Sequence, residues 1–106
     1  MSGSPLRVII RFEAEVDITD SAIQCHQRQP GLGDDFLAAV DSAIANAAAI
    51  PFRYPCLRRK PEVRRVLTER FPYRVFFFRR DDSIVVFWVL HGARHDREWK
   101  RSVAKP

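Results

Sequence analysis

The fold is decided by residues 73–90, which read YRVFFFRRDDSIVVFWVL. Two aromatic and β-branched runs, residues 73–78 and 84–90, flank a polar turn at residues 80–83, and this pattern is typical of a β-hairpin. Both runs are apolar almost without interruption, which predicts two central strands that other elements cover. Upstream, residues 63–67 mix β-branched and apolar side chains with two arginines, which predicts a further strand with one wet face. The pattern therefore predicts a three-stranded antiparallel meander.

The N-terminal half supplies the cover for this sheet. Residues 6–12 contain a short β-branched run and predict a first strand. Apolar spacing then predicts a helix over residues 15–29 and a second helix that begins at residue 34 or 35 and ends at Pro51. A proline- and glycine-rich break at residues 30–33 makes the two helices an antiparallel hairpin. The predicted fold is α+β, in the order β-α-α-β-β-β, with the helices packed on one face of the sheet.

The chain reads as one domain over residues 1–106, with flexible ends at residues 1–5 and 102–106. Residues 52–61, which two prolines interrupt, read as a connection without regular structure. Residues 96–101 predict one last helical turn capped by an aspartate.

Charge is unevenly distributed along the sequence. Residues 1–57 hold four basic and seven acidic side chains, whereas residues 58–106 hold fourteen basic and six acidic ones, so the two halves carry −3 and +8. Fifteen of the eighteen basic residues are arginine, whose planar fork matches phosphate and carboxylate. The C-terminal half is therefore expected to bind an acidic macromolecule, although a solvated basic surface is the simpler alternative.

The remaining composition indicates a cytoplasmic protein with no membrane segment. Cys25 and Cys56 have no metal-type spacing and read as two reduced thiols. The N-terminus lacks a signal-peptide pattern, and the longest apolar run, residues 84–90, is too short to span a bilayer. His91 and His95 have i, i+4 spacing but no third ligand, so neither a metal nor another cofactor is expected.

An ordered series of motifs resembles the RelE/ParE-type toxins of bacterial type II toxin–antitoxin systems. The series is listed in chain order: Gln29-Pro30-Gly31-Leu32-Gly33, Phe36-Leu37, Tyr54-Pro55, Val63-Arg64-Arg65-Val66-Leu67, Arg70-Phe71-Pro72-Tyr73, Val89-Leu90-His91-Gly92-Ala93-Arg94 and Trp99. The resemblance covers residues 6–99 and implies a compact sheet with two helices on one face. Two positions depart from the family pattern, since Cys25-His26 stands where members often carry Trp-Tyr and Phe77 where a tyrosine is common.

The resemblance implies a growth inhibitor, of the kind that stabilises plasmids, held silent by a cognate antitoxin. The expected partner is an acidic or amphipathic antitoxin segment, which would make the active unit part of a hetero-oligomer. The arginine-rich strands and the C-terminal tryptophan are the expected contacts for partner or target: Arg64, Arg74, Arg80 and Trp99. Aromatic side chains between the arginines could stack on bases, but strand periodicity favours a role for them in the core.

The family has two branches, and the resemblance is closer to the ParE-like branch, which poisons DNA gyrase without a recognised catalytic constellation. In the RelE-like branch the chain would be a ribosome-dependent mRNA endonuclease, with a ribose 2′-OH attacking its own phosphate. His91 or His95 would then move protons, and Arg65, Arg79 and Arg94 would stabilise the phosphate charge. A third alternative is an inactive relative that only binds its antitoxin and, with it, operator DNA. DNA gyrase is the first expected target.

Overall fold

The computed structural model of the chain describes residues 5–91. In chain order the elements are β1 (Arg7–Ile10), α1 (Phe12–Arg28), α2 (Leu32–Ala49), a 3₁₀ turn (Pro51–Arg53), β2 (Cys56–Arg59), β3 (Glu62–Leu67), β4 (Tyr73–Arg80) and β5 (Ser83–His91). The helical turn predicted for residues 96–101 lies outside the described residues, as do Arg94, His95 and Trp99. Neither helix within residues 5–91 is long and apolar enough to cross a membrane.

The α+β class is confirmed, but the detailed topology differs from the prediction. The sheet is mixed and has five strands in the order β1-β5-β4-β3-β2. The stretch predicted as a connection contains β2, which pairs antiparallel with β3, so the antiparallel part is longer than a three-stranded meander. Cys56, in β2, is exposed and Cys25, in α1, is buried, and neither thiol forms a disulfide.

The first strand lies at the edge of the sheet, parallel to β5. Arg7 pairs with Ser83 and Ile10 with Val86, and backbone hydrogen bonds at both ends of β1 fix this register. The backbone N–H of Arg7 donates to Asp82 at 3.0 Å and that of Arg11 to Val86 at 2.9 Å. β5 therefore lies between β1 and β4, which explains why its sequence is apolar on both faces.

The helical hairpin packs on one face of the sheet. Its core joins buried side chains of both helices, among them Phe36, Val40 and Ile44, to buried residues of β3, β4 and β5 such as Val75 and Phe77. The sharp connection between the helices depends on Gly31, whose φ of 89° is unfavourable for residues with a side chain. The second helix begins at Leu32, two or three residues before the predicted start at residue 34 or 35, because Gly31 already occupies the N-cap position.

The other face of the sheet carries a second buried cluster. It consists of Val63, Phe76, Phe78, Val85, Phe87 and Leu90, with Leu57 and Trp88 packed against it. The prediction that one face of residues 63–67 is wet is therefore wrong at Val63, which is fully buried beside Phe78. Neighbouring strands bring apolar residues alongside it, and the alternation within a single strand cannot reveal this.

A bulge in β5 sets which side chains face the helices. Phe76 pairs with Trp88 but Phe77 pairs with Val86, so Phe87 is an extra residue in the ladder. After the bulge, Val89 faces the helices where strict alternation from Val86 would have pointed it to the opposite face. His91, two residues further on, lies on that same face.

Candidate functional site

The arginines of the sheet are divided between its two faces. Along β4, Arg79 shares the helix face with Phe77, whereas Arg74 and Arg80 share the second face with Phe76 and Phe78. On β3, Arg64 pairs with Phe77 and Arg65 with Phe76, so these two also point to opposite faces. Residues 58–91 hold nine basic and four acidic side chains, so this described part of the C-terminal half has a net charge of +5.

Arg64 is held in place by the protein itself. Its side chain is 16% exposed, and it forms an ion pair with Glu62. Its Nη1 also donates to the backbone carbonyl of Tyr54 at 2.5 Å. Of the two neighbouring arginines on β3, Arg64 is therefore partly buried and paired. A guanidinium committed in this way is a fixed cation rather than a mobile one.

Two pairs of arginines flank phenylalanine rings near the turn that joins β4 to β5. The guanidinium carbons of Arg64 and Arg79 lie 5.4 and 5.2 Å from the ring centroid of Phe52. On the second face, those of Arg11 and Arg80 both lie 5.5 Å from the ring centroid of Phe78. Cation–π contacts of this kind orient the guanidinium groups. The Phe78 ring is buried, whereas the Phe52 ring is exposed.

The opposite end of the sheet holds His91. Of the two histidines predicted to move protons, it is the one that lies within residues 5–91. Its ring contacts that of Tyr73 edge to face, with centroids 5.1 Å apart, and Tyr73 packs in turn on Phe36. His91 and Tyr73 lie between two cavities of about 490 and 300 Å³, and Gln24 and Arg28 of α1 line both. A histidine, a tyrosine and an arginine thus border one cleft, where they could move a proton and bind an anion.

The larger of these two cavities has an acidic side. Asp17 and Asp20 of α1 line it opposite Trp88 and His91. Carboxylates at this position oppose the binding of a phosphate and favour a cationic group.

The predicted phosphate ligands do not converge on His91. Tyr73, the partner of His91, and Arg79 are six positions apart on β4, a separation of about 20 Å in an extended strand. Arg65 lies on the second face of the sheet, opposite Phe76. His91, Arg65 and Arg79 therefore cannot contact one phosphate in this arrangement. Their catalytic role, and the role of Arg94 and His95, stay predictions.

A further cavity, of about 580 Å³, is a groove between α2 and β3 that sequence reasoning missed. Small side chains of α2 give it depth, because Ala38, Ala39 and Ala43 leave space where larger residues would fill it. Its rim carries an exposed ion pair in which Arg70 Nη1 lies 3.8 Å from Asp35 Oδ2. The alanine-rich composition of residues 38–49 was the signal for it that the sequence contains.

Among residues 5–91, no group of three or more His, Cys, Asp or Glu side chains could hold a metal ion.

Comparison with known proteins adds no identification to this geometry, since no protein-family model matches the chain and no curated protein is significantly similar to it.

Proposed function

We propose that the chain is the toxin of a type II toxin–antitoxin pair, a growth inhibitor that acts on DNA gyrase and is neutralised by its antitoxin. The motif series between residues 29 and 99 and the order of strands and helices support this assignment to a RelE/ParE-like fold. One observation favours inhibition of gyrase over cleavage of mRNA. His91 pairs with Tyr73 at the start of β4, whereas Arg79 lies near the end of β4, and this separation argues against a single phosphate-cleaving site built from them.

The groove between α2 and β3 is the proposed antitoxin site. Its alanine floor accepts apolar side chains of a helix or an extended segment, and burying them supplies affinity. Arg70 lines the same groove and can pair with a carboxylate of that segment. An amphipathic antitoxin segment with acidic flanks fits both features.

Blocking the groove tests this part of the proposal. Ala39→Trp places an indole in the groove and should abolish co-purification with the protein encoded by the adjacent reading frame. Ala45→Trp, on an exposed position of the same helix outside the groove, should co-purify as the unmodified chain does. Equal co-purification of both variants would contradict the assigned site.

Expression in a bacterial host tests the toxin assignment as a whole. Induction of the chain alone should arrest growth, and co-expression of the adjacent reading frame should restore it. Growth unaffected by induction of the folded chain would instead favour an inactive relative.

A ribosome-dependent mRNA endonuclease is the second candidate, and the position of His91 and Tyr73 between two cavities favours it. In that case mRNA ends mapped after induction would show cuts in phase with codons, and His91→Ala would remove them. Unchanged cuts in the His91→Ala variant would exclude His91 from the reaction.

A further inference from the structure

Phe52 is an apolar side chain displayed on the surface by a well-anchored turn. Its ring is 60% exposed, although the residues on either side of its turn are fixed. Pro51 is buried, and Tyr54 packs edge to face on Phe77 with centroids 6.3 Å apart. Backbone hydrogen bonds from Arg53 to Ile50 and from Tyr54 to Pro51 close the 3₁₀ turn. The turn therefore presents the Phe52 ring in a defined position at little entropic cost to a ligand.

The two guanidinium groups beside this ring have different freedom to bind. Arg64 is committed to Glu62 and to the Tyr54 carbonyl, so it holds its place whether or not a ligand is present. Arg79 donates only its Nε, to the carbonyl of Asp81 at 3.3 Å, and its terminal Nη groups make no hydrogen bond within residues 5–91. Those Nη groups are donors available to an anion next to the exposed ring.

Phe52 differs from the other phenylalanines near arginines in how exposed its ring is and in how many cations lie near it. Phe78 has two arginines, but its ring is only 6% exposed. Phe71 is half-buried and has one arginine, Arg70, 5.5 Å from its centroid. Phe12 is exposed and no cation–π contact is recorded for it within the described residues. Among residues 5–91, the Phe52 cluster combines an exposed ring with two cations.

We propose that the Phe52 cluster, defined as Phe52, Arg64 and Arg79, binds single-stranded nucleic acid. A base stacks on the part of the Phe52 ring that is exposed and on the guanidinium planes that lie over the ring, and the Arg79 Nη groups donate to the adjacent phosphate. A ring with cations at its side suits an unstacked base better than an acidic peptide, because a carboxylate has no π-face to stack. This inference is independent of the proposed gyrase activity and of the antitoxin groove.

Direct binding to labelled oligonucleotides tests the proposal. Fluorescence anisotropy would measure the affinity of the full chain for oligo-dT and for oligo-U of equal length at low salt. Comparing the two affinities shows whether the chain prefers DNA or RNA. The wild-type chain should bind at least one of them. Phe52→Ala should weaken binding by about tenfold, within the range expected for loss of one base–aromatic stack. Arg79→Ala should reduce the slope of log affinity against log salt by about 0.7, the value for one phosphate contact on a single strand.

Matched controls separate the Phe52 cluster from general surface charge. Phe12→Ala removes a ring that is 74% exposed, and Arg59→Ala removes an exposed arginine of β2. Both should bind within twofold of wild type, and circular dichroism should show all four variants folded. The proposal is overturned if wild type binds neither oligonucleotide, if Phe52→Ala binds as tightly as wild type, or if polyglutamate displaces the oligonucleotide at equal charge concentration.

Discussion

At the residue scale, the most informative side chain is Arg64. Its neighbour Arg65 has the same chemistry, and alternation along a strand predicts only that the two point to opposite faces. Which of them faces the helices depends on how β3 pairs with β4, and the sequence does not contain that register explicitly. The structure directs Arg64 toward Glu62 and the Tyr54 carbonyl, where it joins β3 to the chain that leaves α2.

Replacing Arg64 should therefore lower stability. Arg64→Met keeps the length of the side chain but removes the charged hydrogen bonds to Glu62 and to the Tyr54 carbonyl, which should cost about 2 kcal/mol of unfolding free energy. Urea denaturation measures this loss. The matched variant Arg59→Met, at an exposed position of β2, should change the unfolding free energy by less than about 0.5 kcal/mol. Equal effects of the two substitutions would show that the Arg64 contacts contribute nothing.

Substitution of Phe36 tests the packing of the hydrophobic core. Its side chain is fully buried, and it packs against the rings of Phe71 and Tyr73 with centroids 5.4 and 4.8 Å away. Phe36→Ala should cost about 3–5 kcal/mol because it leaves a cavity between α2 and the sheet. Phe12→Ala, at an exposed position, should leave the thermal midpoint nearly unchanged. A small loss for Phe36→Ala would contradict the packing described here.

At the element scale, the sequence predicted those parts whose signals are local. The hairpin of β4 and β5 and the pair of helices follow from apolar runs, spacing and the Pro-Gly break, and the structure confirms them. β2 was missed because two of its four residues, Arg58 and Arg59, carry exposed basic side chains and only pairing with β3 makes the segment a strand. The position of β1 beside β5 is likewise a long-range pairing with no local signal.

The packing of the two helices makes a prediction at the same scale. A Cβ at Gly33 would lie 2.6 Å from the backbone carbonyl oxygen of Ala22, too close for α1 and α2 to keep their separation. Gly33→Ala should therefore destabilise the protein by about 1–3 kcal/mol, as overpacking of a core does. Thermal denaturation followed by circular dichroism measures the effect.

Gly31→Ala is the natural comparison, because it tests backbone strain without a steric clash. A Cβ at Gly31 meets nothing within 4 Å, but the φ of 89° is unfavourable for alanine and should cost about 1 kcal/mol. A Gly33→Ala variant as stable as wild type would mean that the helices can separate at no cost.

At the scale of the whole molecule, composition predicted a basic C-terminal half and the structure shows how its arginines are distributed. Those on β3 and β4 occupy both faces of the sheet and, within residues 5–91, do not form one patch around His91. The sequence was enough to name the candidate site residues but not to predict the distances between them. Those distances depend on strand pairing and on the bulge at Phe87, which turns His91 toward the helices. The groove beside α2 and the Phe52 cluster are also products of tertiary packing.

The central claim is that this chain inhibits DNA gyrase, and a supercoiling assay with purified gyrase, relaxed plasmid and the purified full chain tests it most directly. Increasing amounts of the chain should suppress supercoiling and trap a cleavage complex, visible as linear plasmid after denaturation of gyrase. Pre-incubation with the cognate antitoxin should restore supercoiling. Full supercoiling at a large excess of the folded chain, with no trapped cleavage complex, would contradict the claim.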